Sequence, residues 1–335
     1  MTTLIGSIIV FLLVILLHEF GHFITAKFVG IKVNEFSIGM GPKIIQKEKG
    51  ETKYSLRLLP VGGYVAMEGE EENSDDPRSF NNVSVGKRML VVLAGVFMNF
   101  ILAVVSFFII FYYMGFGTNC VESVITNSPA AIAGLQAGDK IFAINDKKVN
   151  DLNEIADKIS ATKDKNLKFS ILRDGKEIDK FIMAKYSKNE NRYIIGFTAI
   201  KSRSLVKSFI YGVKETGMIV KAIFSVFDLI KNGKFTHDMI SGPIGVIAII
   251  GQETSKGPIY LIQILGIISA NLGVMNLLPI PGLDGGKFLL LLIEAVRGKA
   301  ISQKLEMKLT LIGYSLLITL MLYVTIFNDL GRFFK

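Results

Sequence analysis

The chain has little of several residue types that often build metal sites or stabilise folds. Its 335 residues include one cysteine, Cys120, and no tryptophan. A single thiol excludes a disulfide within the chain and a cysteine-rich metal site. Without tryptophan, tyrosine and phenylalanine must form any aromatic belt at a membrane surface. The chain also has three histidines, so an imidazole-based metal site has few candidate ligands.

Charged residues are missing from four long apolar stretches. These run over residues 1–26, interrupted at Glu19, and over residues 89–117, 257–283 and 309–328. A hydrocarbon core about 30 Å thick requires roughly 20 helical residues, so each stretch is long enough to cross a bilayer. The first stretch has no basic residues before it and no small-residue cleavage pattern after it. We therefore predict a retained span and not a signal peptide.

The basic residues are distributed unevenly around these spans. Ten lysines and arginines lie between the first two spans and five between the last two, whereas none precedes the first. The positive-inside rule therefore makes these two loops cytoplasmic. The N-terminus, the long segment between spans two and three, and the C-terminus are then extracytoplasmic. The same loops largely account for the net charge of +9, so we expect no nucleic-acid partner.

The segment between spans two and three has the composition of a soluble domain. Residues 118–185 combine short strand and helix patterns, with a hairpin expected around Asp174 and Gly175. The sequence SPAAIAGLQAGDKIFAINDKKV, residues 128–149, resembles a bacterial PDZ domain. That resemblance implies recognition of a peptide by strand addition to a sheet edge. A structural cap without a ligand is the alternative.

Two further segments precede the third span. Residues 205–236 carry apolar residues at helical spacing interrupted by charges, which predicts one or two amphipathic helices on the outer leaflet. The sequence SGPIGVIAIIGQ, residues 241–252, is uncharged but too short to cross, so we expect an interfacial or partly inserted segment.

Residues 30–72 follow the first span and consist of short β-type runs separated by glycine and proline. A hairpin is expected around Lys49, Gly50 and Glu51. Open strand edges cannot face lipid, so any part of this region at membrane depth must lie against protein or a wet cavity.

The first apolar stretch contains the sequence HEFGH, in which His18, Glu19 and His22 lie at span depth. On a helix, positions i and i+4 share a face, so both imidazoles can ligate one zinc ion beside the glutamate. A zinc hydrolase needs this arrangement, because zinc makes water more acidic and a carboxylate then takes its proton. Ionisable side chains within a span are costly and are usually functional. This favours a metal site over a structural pair of histidines.

A catalytic zinc site needs a third protein ligand. The remaining histidine, His237, is expected on the outer side. The remaining intramembrane acid is Asp284, in NLLPIPGLDGG, at the cytoplasmic end of the third stretch. The charge distribution assigns His18 and His22 to the same side. These arguments bring the three residues to one level in the membrane.

Three motifs together resemble those of the site-2 protease family of intramembrane zinc metalloproteases. They are HEFGH in the first span, GPIG before the third and NLLPIPGLDGG at its end. The resemblance implies Zn²⁺ ligated by His18, His22 and Asp284, with Glu19 as general base. Other divalent metals also accept such ligands, so the metal itself is assigned by the family.

The same resemblance implies roles for two asparagines. Asn276 opens the pattern N-x-x-P-x-P-x-L-D-G and is expected to contact substrate or the active-site cleft, a task that Asn271 could share. Ordinary hydrogen bonds between helices are the alternative for both residues. The region of residues 30–72 resembles the membrane-associated β-hairpin of the family, which implies an edge strand presented to an unwound substrate.

We therefore predict a multi-pass α-helical membrane protein with four transmembrane helices. A membrane-associated β-hairpin region lies on its cytoplasmic side, and one extracytoplasmic α/β PDZ domain is inserted. The expected division is span one at 1–29, the hairpin region at 30–87, span two at 88–116, the PDZ domain at 117–200, amphipathic helices and GPIG at 201–256, span three at 257–285, a cytoplasmic loop at 286–308 and span four at 309–329.

Four spans with one PDZ domain resemble, more narrowly, the bacterial regulator-of-sigma-factor proteases. The resemblance implies cleavage of transmembrane segments of membrane proteins already cut by another protease, such as anti-sigma factors, remnant signal peptides or pheromone precursors. A membrane-anchored PDZ adaptor with an inactive metal site and a transporter or channel with an ion site are the alternatives.

Overall fold

The computed structural model describes residues 2–70, 72, 74–161, 166–188, 192–234, 236 and 240–332. Among these residues, four helices are long and apolar enough to cross a membrane, as expected: Thr3–Val29, Val85–Met114, Pro258–Leu277 and Gln303–Asp329. The chain divides into two compact units. One combines Met1–Ile110 with Phe209–Lys335, and the other is Phe111–Ser208.

The helices are α1 (Thr2–Val29), α2 (Val85–Met114), α3 (Pro129–Ile132), α4 (Leu152–Ala161), α5 (Leu205–Lys231), α6 (Pro243–Thr254), α7 (Pro258–Leu277), α8 (Asp284–Arg297) and α9 (Gln303–Val324), which continues as a π-helical turn over Thr325–Asp329. The strands are β1 (Val33–Lys49), β2 (Thr52–Met67), β3 (Phe116–Val124), β4 (Lys140–Ile144), β5 (Lys147–Lys148), β6 (Asn166–Arg173), β7 (Lys176–Met183), β8 (Lys185–Ser187), β9 (Arg192–Ile194) and β10 (Phe197–Ser202).

Helix α1 packs against α6 and α7. Val10 and Val14 of α1 form a buried cluster with Ile250 of α6 and Ile264 of α7. Small residues allow such close helix contacts in membranes. A β-carbon added to Gly6 of α1 would lie 2.9 Å from Thr254 Oγ1. The short helix α6 therefore lies directly on the N-terminal half of α1.

The N-terminus of α6 is capped from a distant part of the chain. Asp329, 1% exposed, follows α9, and its Oδ1 accepts a hydrogen bond of 2.9 Å from the Gly242 N–H. A β-carbon at Gly242 would lie 2.5 Å from Asp329 Oδ2, and one at Gly245 would lie 2.7 Å from Oδ1. Both glycines of the GPIG motif thus make room for this carboxylate, which also complements the positive end of the helix dipole.

Strands β1 and β2 form an antiparallel pair that turns at Gly50, as expected from the sequence. Gly39 and Gly41 both adopt φ of +82°, so β1 bends and its two halves find different partners. Residues 43–49 pair with 52–57, whereas residues 33–38 pair with 63–67 and also with 53–56. Within the described residues, 63–67 has strand partners on one side and is an edge of this sheet.

The second unit is an antiparallel sheet with its own core. Its strands have the order β10-β3-β4-β6-β7, with β5 paired to β4, and β8 pairs separately with β9. Val121, Ile141, Phe169 and Ile171 are buried in one cluster with Ile155 of α4. Ser128 caps α3 through its Oγ, and the expected hairpin turns at Asp174 and Gly175 between β6 and β7.

The structure corrects the expected end of the third span. The helix ends at Leu277, and a separate helix, α8, begins at Asp284. Helix α8 therefore starts before the loop expected at 286–308 and occupies the first part of it. Pro279 and Pro281 lie between the two helices, and proline removes a backbone donor and disfavours helical geometry in the preceding residue. Leu278 is accordingly extended, with φ −63° and ψ 141°.

The segment 205–236, expected to hold one or two amphipathic helices, forms the single helix α5 over Leu205–Lys231.

A buried ion pair between Asp139 and Arg173 stabilises the second unit. Asp139 is fully buried, and its oxygens accept hydrogen bonds of 2.7 Å from Nε and Nη2 of Arg173. The Gln136 N–H donates to Asp139 Oδ2 at 2.8 Å. Burial raises the pKa of the Asp139 carboxyl, but these hydrogen bonds outweigh burial and hold the pKa below its ordinary value.

We predict that Asp139→Asn lowers the free energy of unfolding of this unit by about 3 kcal/mol at neutral pH, because Arg173 loses its buried partner. The difference from wild type should be constant above about pH 4, the unfolded-state pKa, and shrink as the pH falls through the lower folded-state value. Urea unfolding of residues 111–208 at several pH values measures this. Asp146→Asn, which alters an exposed pair with Lys168, is the control and should leave the midpoint unchanged.

Candidate metal centre

Helix α1 presents His18 and His22 on one face, four residues apart. Both residues are buried, with 7% and 9% of their surface exposed, and their Nε2 atoms are 3.2 Å apart. The rings meet edge to face, with centroids separated by 4.7 Å. This is the geometry expected from the i and i+4 spacing, because such positions lie on the same side of a helix.

Asp284, the first residue of α8, completes a three-residue cluster. Its Oδ2 lies 3.1 Å from His18 Nε2 and 3.5 Å from His22 Nε2. Ligands of one tetrahedral zinc ion, at about 2.0–2.1 Å from it, lie about 3.3–3.4 Å from each other. Asp284 Oδ2 is also buried without a hydrogen-bond donor. Two imidazole nitrogens and an orphaned carboxylate oxygen thus fit one divalent cation.

Backbone contacts at two glycines bring Asp284 to this position. A β-carbon on Gly285 or Gly286 would overlap the backbone of the segment from Leu277 to Pro281. The start of α8 can therefore lie directly against the end of α7, because glycine has no β-carbon. The glycines of the LDGG sequence thus serve close packing beside the carboxylate.

Two ion pairs fix α8 to other elements of the same unit. Arg88 of α2 and Glu294 of α8 form a buried pair, with 3.2 Å between Nη1 and Oε2. Lys287 Nζ donates to Glu70 Oε1 at 2.6 Å. The Lys287 contact holds the first turn of α8 against the segment that follows β2, and the Glu294 contact holds the C-terminal part of α8 against α2.

Each histidine has a second polar contact at Nδ1. His22 Nδ1 lies 2.8 Å from the carbonyl oxygen of Val91, and His18 Nδ1 lies 3.1 Å from the side-chain amide of Asn99. Val91 and Asn99 both belong to α2. Histidines that bind a metal through one nitrogen usually hold the other in such a hydrogen bond, which fixes the ring orientation.

Glu19 lines a cavity of about 280 Å³ together with the three cluster residues. Val65 and Met67 of the β2 edge line the same cavity, as does Tyr314 of α9. A β-carbon on Gly63 would lie 3.8 Å from Glu19 Cγ. The edge segment 63–67 therefore passes beside the glutamate, and a peptide in the cavity would meet both.

The structure brings most of the predicted site residues together around one cavity. It brings His18, His22 and Asp284 together, with Glu19 and Asn276 lining the same cavity. Asn276 Nδ2 is 3.5 Å from His18 Nε2.

Asn271 does not line this cavity. Five residues along a helix correspond to about 500°, which places Asn271 about 140° away from Asn276 around α7. Asn276 thus lies on the cavity wall and Asn271 does not, and a shared contact of both asparagines with substrate stays a prediction. His237 lies outside the described residues.

Sequence reasoning missed Asn99 and Gly95. Asn99 is a fully buried amide in an uncharged stretch of α2, and the cost of polar groups at that depth is the signal that could have found it. Gly95 lies directly under the cluster, since a β-carbon there would be 2.6 Å from His22 Cε1 and 2.8 Å from His18 Cε1. No sequence signal distinguishes it from other glycines of the spans.

We predict that Gly95→Ala weakens zinc binding by at least about tenfold, because the added methyl group must displace both imidazoles. Zinc content of the purified protein after dialysis against a competing chelator measures the effect. Gly86→Ala, on the same helix with open space around its β-carbon position, is the control. Equal zinc retention by both variants would contradict the close contact.

Comparison with known proteins gives matches along almost the whole chain. The profile of peptidase family M50 matches residues 6–320. A protein of Clostridium acetobutylicum whose name proposes a zinc metalloprotease is 39% identical over 322 residues, covering 96% of this chain and 95% of its own. The zinc metalloprotease RasP of Bacillus licheniformis is 30% identical over 419 residues, covering all of both chains.

A solved structure of the PDZ domain of the SdrC-like protein from Listeria monocytogenes matches 25% of this chain and 87% of its own, at 27% identity and a TM-score of 0.23. The family match spans the cluster of His18, His22 and Asp284, and the donor set agrees with zinc. This chain belongs to peptidase family M50, the site-2 protease family of zinc metalloproteases.

Proposed function

We propose that this membrane metalloprotease cleaves transmembrane segments of single-span membrane proteins that another protease has already shortened, or remnant signal peptides. One observation carries the proposal. The three candidate ligand residues, Glu19 and the β2 edge all line one cavity in the unit formed by Met1–Ile110 and Phe209–Lys335. A soluble substrate would not require His18, Glu19 and His22 to lie on a helix long enough to cross a membrane.

The chemistry is peptide-bond hydrolysis. His18, His22 and Asp284 would hold zinc, which when bound would supply the Lewis acidity that polarises a scissile carbonyl and makes water easier to deprotonate. Glu19 takes the proton from the attacking water and later delivers it to the leaving amine, as its place beside the ligands permits. Asn276 lies at the same cavity wall and can donate its amide to the substrate backbone.

The β2 edge offers a way to hold an unwound substrate. Peptide-bond hydrolysis requires the scissile amide to leave its helix, which frees backbone donors and acceptors in a membrane where they need partners. Residues 63–67 have strand partners on one side among the described residues and pass beside Glu19. A substrate segment added to this edge would regain backbone hydrogen bonds at the cleavage position.

The lysine and arginine distribution supports an orientation for this arrangement. The basic loop between α1 and α2 and the one that contains α8 are cytoplasmic under the positive-inside rule. The ligand cluster then lies towards the cytoplasmic side, and the N-terminus and the second unit are extracytoplasmic. In this orientation the second unit, as a PDZ domain, restricts access by size or binds a peptide end.

We predict that Glu19→Gln reduces cleavage by at least about 100-fold while zinc binding stays within about twofold, because the amide cannot accept a proton and is not a ligand. Both proteins are reconstituted with a single-span substrate truncated outside the membrane, and products are identified by mass spectrometry. Glu48→Gln, at an exposed glutamate on β1, is the control.

Other outcomes of this experiment identify other functions. An adaptor with an inactive metal site would yield no product from the wild-type protein and would bind its partner equally well with Glu19→Gln. A transporter would show ion flux into the vesicles without product. Either result would contradict the proteolytic function.

We also predict that removing the second unit relaxes substrate selection. Gly117 and Lys201 are paired across β3 and β10, so a linker of a few residues can replace the residues between them. The shortened protein should cleave untruncated single-span proteins that the full chain leaves intact, and gel mobility of tagged substrates measures this. Continued rejection of untruncated substrates, with cleavage of truncated ones retained, would contradict a size-restricting role.

A further inference from the structure

Asn99 is a fully buried side chain in the apolar span formed by α2. Its Nδ2 lies 3.1 Å from His18 Nδ1, and its Oδ1 is buried without a hydrogen-bond donor. A buried amide with an unsatisfied oxygen is costly in a membrane-spanning helix. A position of this kind therefore calls for a functional explanation.

The contact at Nδ1 of His22 shows how a hydrogen bond fixes the tautomer of a histidine ring. His22 Nδ1 faces the carbonyl oxygen of Val91 at 2.8 Å, and a carbonyl oxygen can only accept. His22 therefore carries its proton on Nδ1, which leaves the lone pair of Nε2 directed at the cluster. The backbone of α2 sets this tautomer without any side chain.

His18 also needs a hydrogen-bond acceptor at its Nδ1. Its Nε2 lies 3.2 Å from His22 Nε2 and 3.1 Å from Asp284 Oδ2, so Nε2 is the atom that must be free of a proton to bind a metal. The proton then occupies Nδ1 and needs an acceptor. The Asn99 side chain contacts that nitrogen, and its amide oxygen can be the acceptor.

The orientation of the Asn99 amide follows from this requirement. Oxygen and nitrogen of a side-chain amide are nearly equivalent in shape, so the hydrogen-bond partners decide which atom points where. Exchanging the two amide atoms places Oδ1, which otherwise has no donor, at His18 Nδ1 in place of Nδ2, and the amide then accepts from Nδ1–H. A nitrogen in that place would donate to Nδ1 and move the proton to Nε2, where it would block the metal-binding lone pair.

The backbone of Asn99 is itself held in place. Ser269 of α7 is fully buried, and its Oγ donates to the Asn99 carbonyl oxygen at 2.8 Å. This contact joins α2 to α7 at the level of the cluster. The amide therefore reaches His18 from a position fixed by two helices.

We propose that Asn99 is a positioning residue that accepts a hydrogen bond from His18 Nδ1–H, and thereby fixes the tautomer and ring orientation in which His18 binds zinc. The inference rests on the metal centre and is independent of which substrate is cleaved. Zinc affinity is therefore the readout, so failure of the proteolytic function would not affect the test.

The test compares variants of the purified full-length protein in detergent, with zinc affinity measured by competition with a chromogenic chelator. Asn99→Leu, which keeps the branched shape but has no acceptor, should weaken zinc binding by about 10–100-fold. Asn99→Asp, which can only accept, should bind zinc within about threefold of wild type. Ser106→Ala, on the same helix with a hydroxyl bonded to Leu102, is the control and should leave the affinity unchanged.

Two results would overturn the proposal: wild-type zinc affinity for Asn99→Leu, or an equal loss for Asn99→Asp and Asn99→Leu. A second measurement needs no substitution at Asn99. His237→Gln leaves two histidines in the chain, and nitrogen-15 spectra of the zinc-loaded protein report which ring nitrogen is protonated. Protonated Nδ1 in both rings supports the proposal, whereas a His18 ring protonated at Nε2 contradicts it.

Discussion

The candidate metal centre depends on the meeting of three side-chain atoms from two distant parts of the chain, two on α1 and one at the first residue of α8. They lie 3.1–3.5 Å apart, a spacing that tolerates little movement of either helix. Glycines make this spacing possible. Gly21 faces the backbone of Ala94, Gly95 lies beneath both imidazoles, and Gly285 and Gly286 contact the end of α7. Close backbone packing, and not a hydrophobic side-chain core, therefore sets the dimensions of the metal centre.

Local patterns in the sequence were sufficient to predict much of this arrangement. His18 and His22 are one helical turn apart, so their shared face follows from helix geometry alone. The four spans follow from the length of uncharged stretches, and the hairpin turns at Gly50 and Gly175 follow from the conformations that glycine permits. Asp284 was predicted because few ionisable groups were available at the same depth, together with the resemblance to site-2 proteases.

Features that depend on the relative rotation of helices could not be predicted in the same way. The contact of Asn99 with His18 depends on which face α2 turns towards α1, and the apolar sequence of α2 does not specify that face. Asn271 and Asn276 were grouped by nearness along the chain, although helix rotation separates them. The predicted bounds of the third span ran past Leu277 because Pro279 and Pro281 could kink a span or end it, and only packing against α8 decides between these outcomes.

The contact between Asp329 and the start of α6 links the segment after α9 to α1, because α6 packs on α1. The carboxylate is supplied from beyond α9, whereas the helix that it caps lies against the N-terminal half of α1, the same helix that carries the HEFGH motif. Asp329 is thus a structural part of the unit that carries the candidate metal centre. A truncation that removes Asp329 would take away the cap of a helix that packs directly on α1.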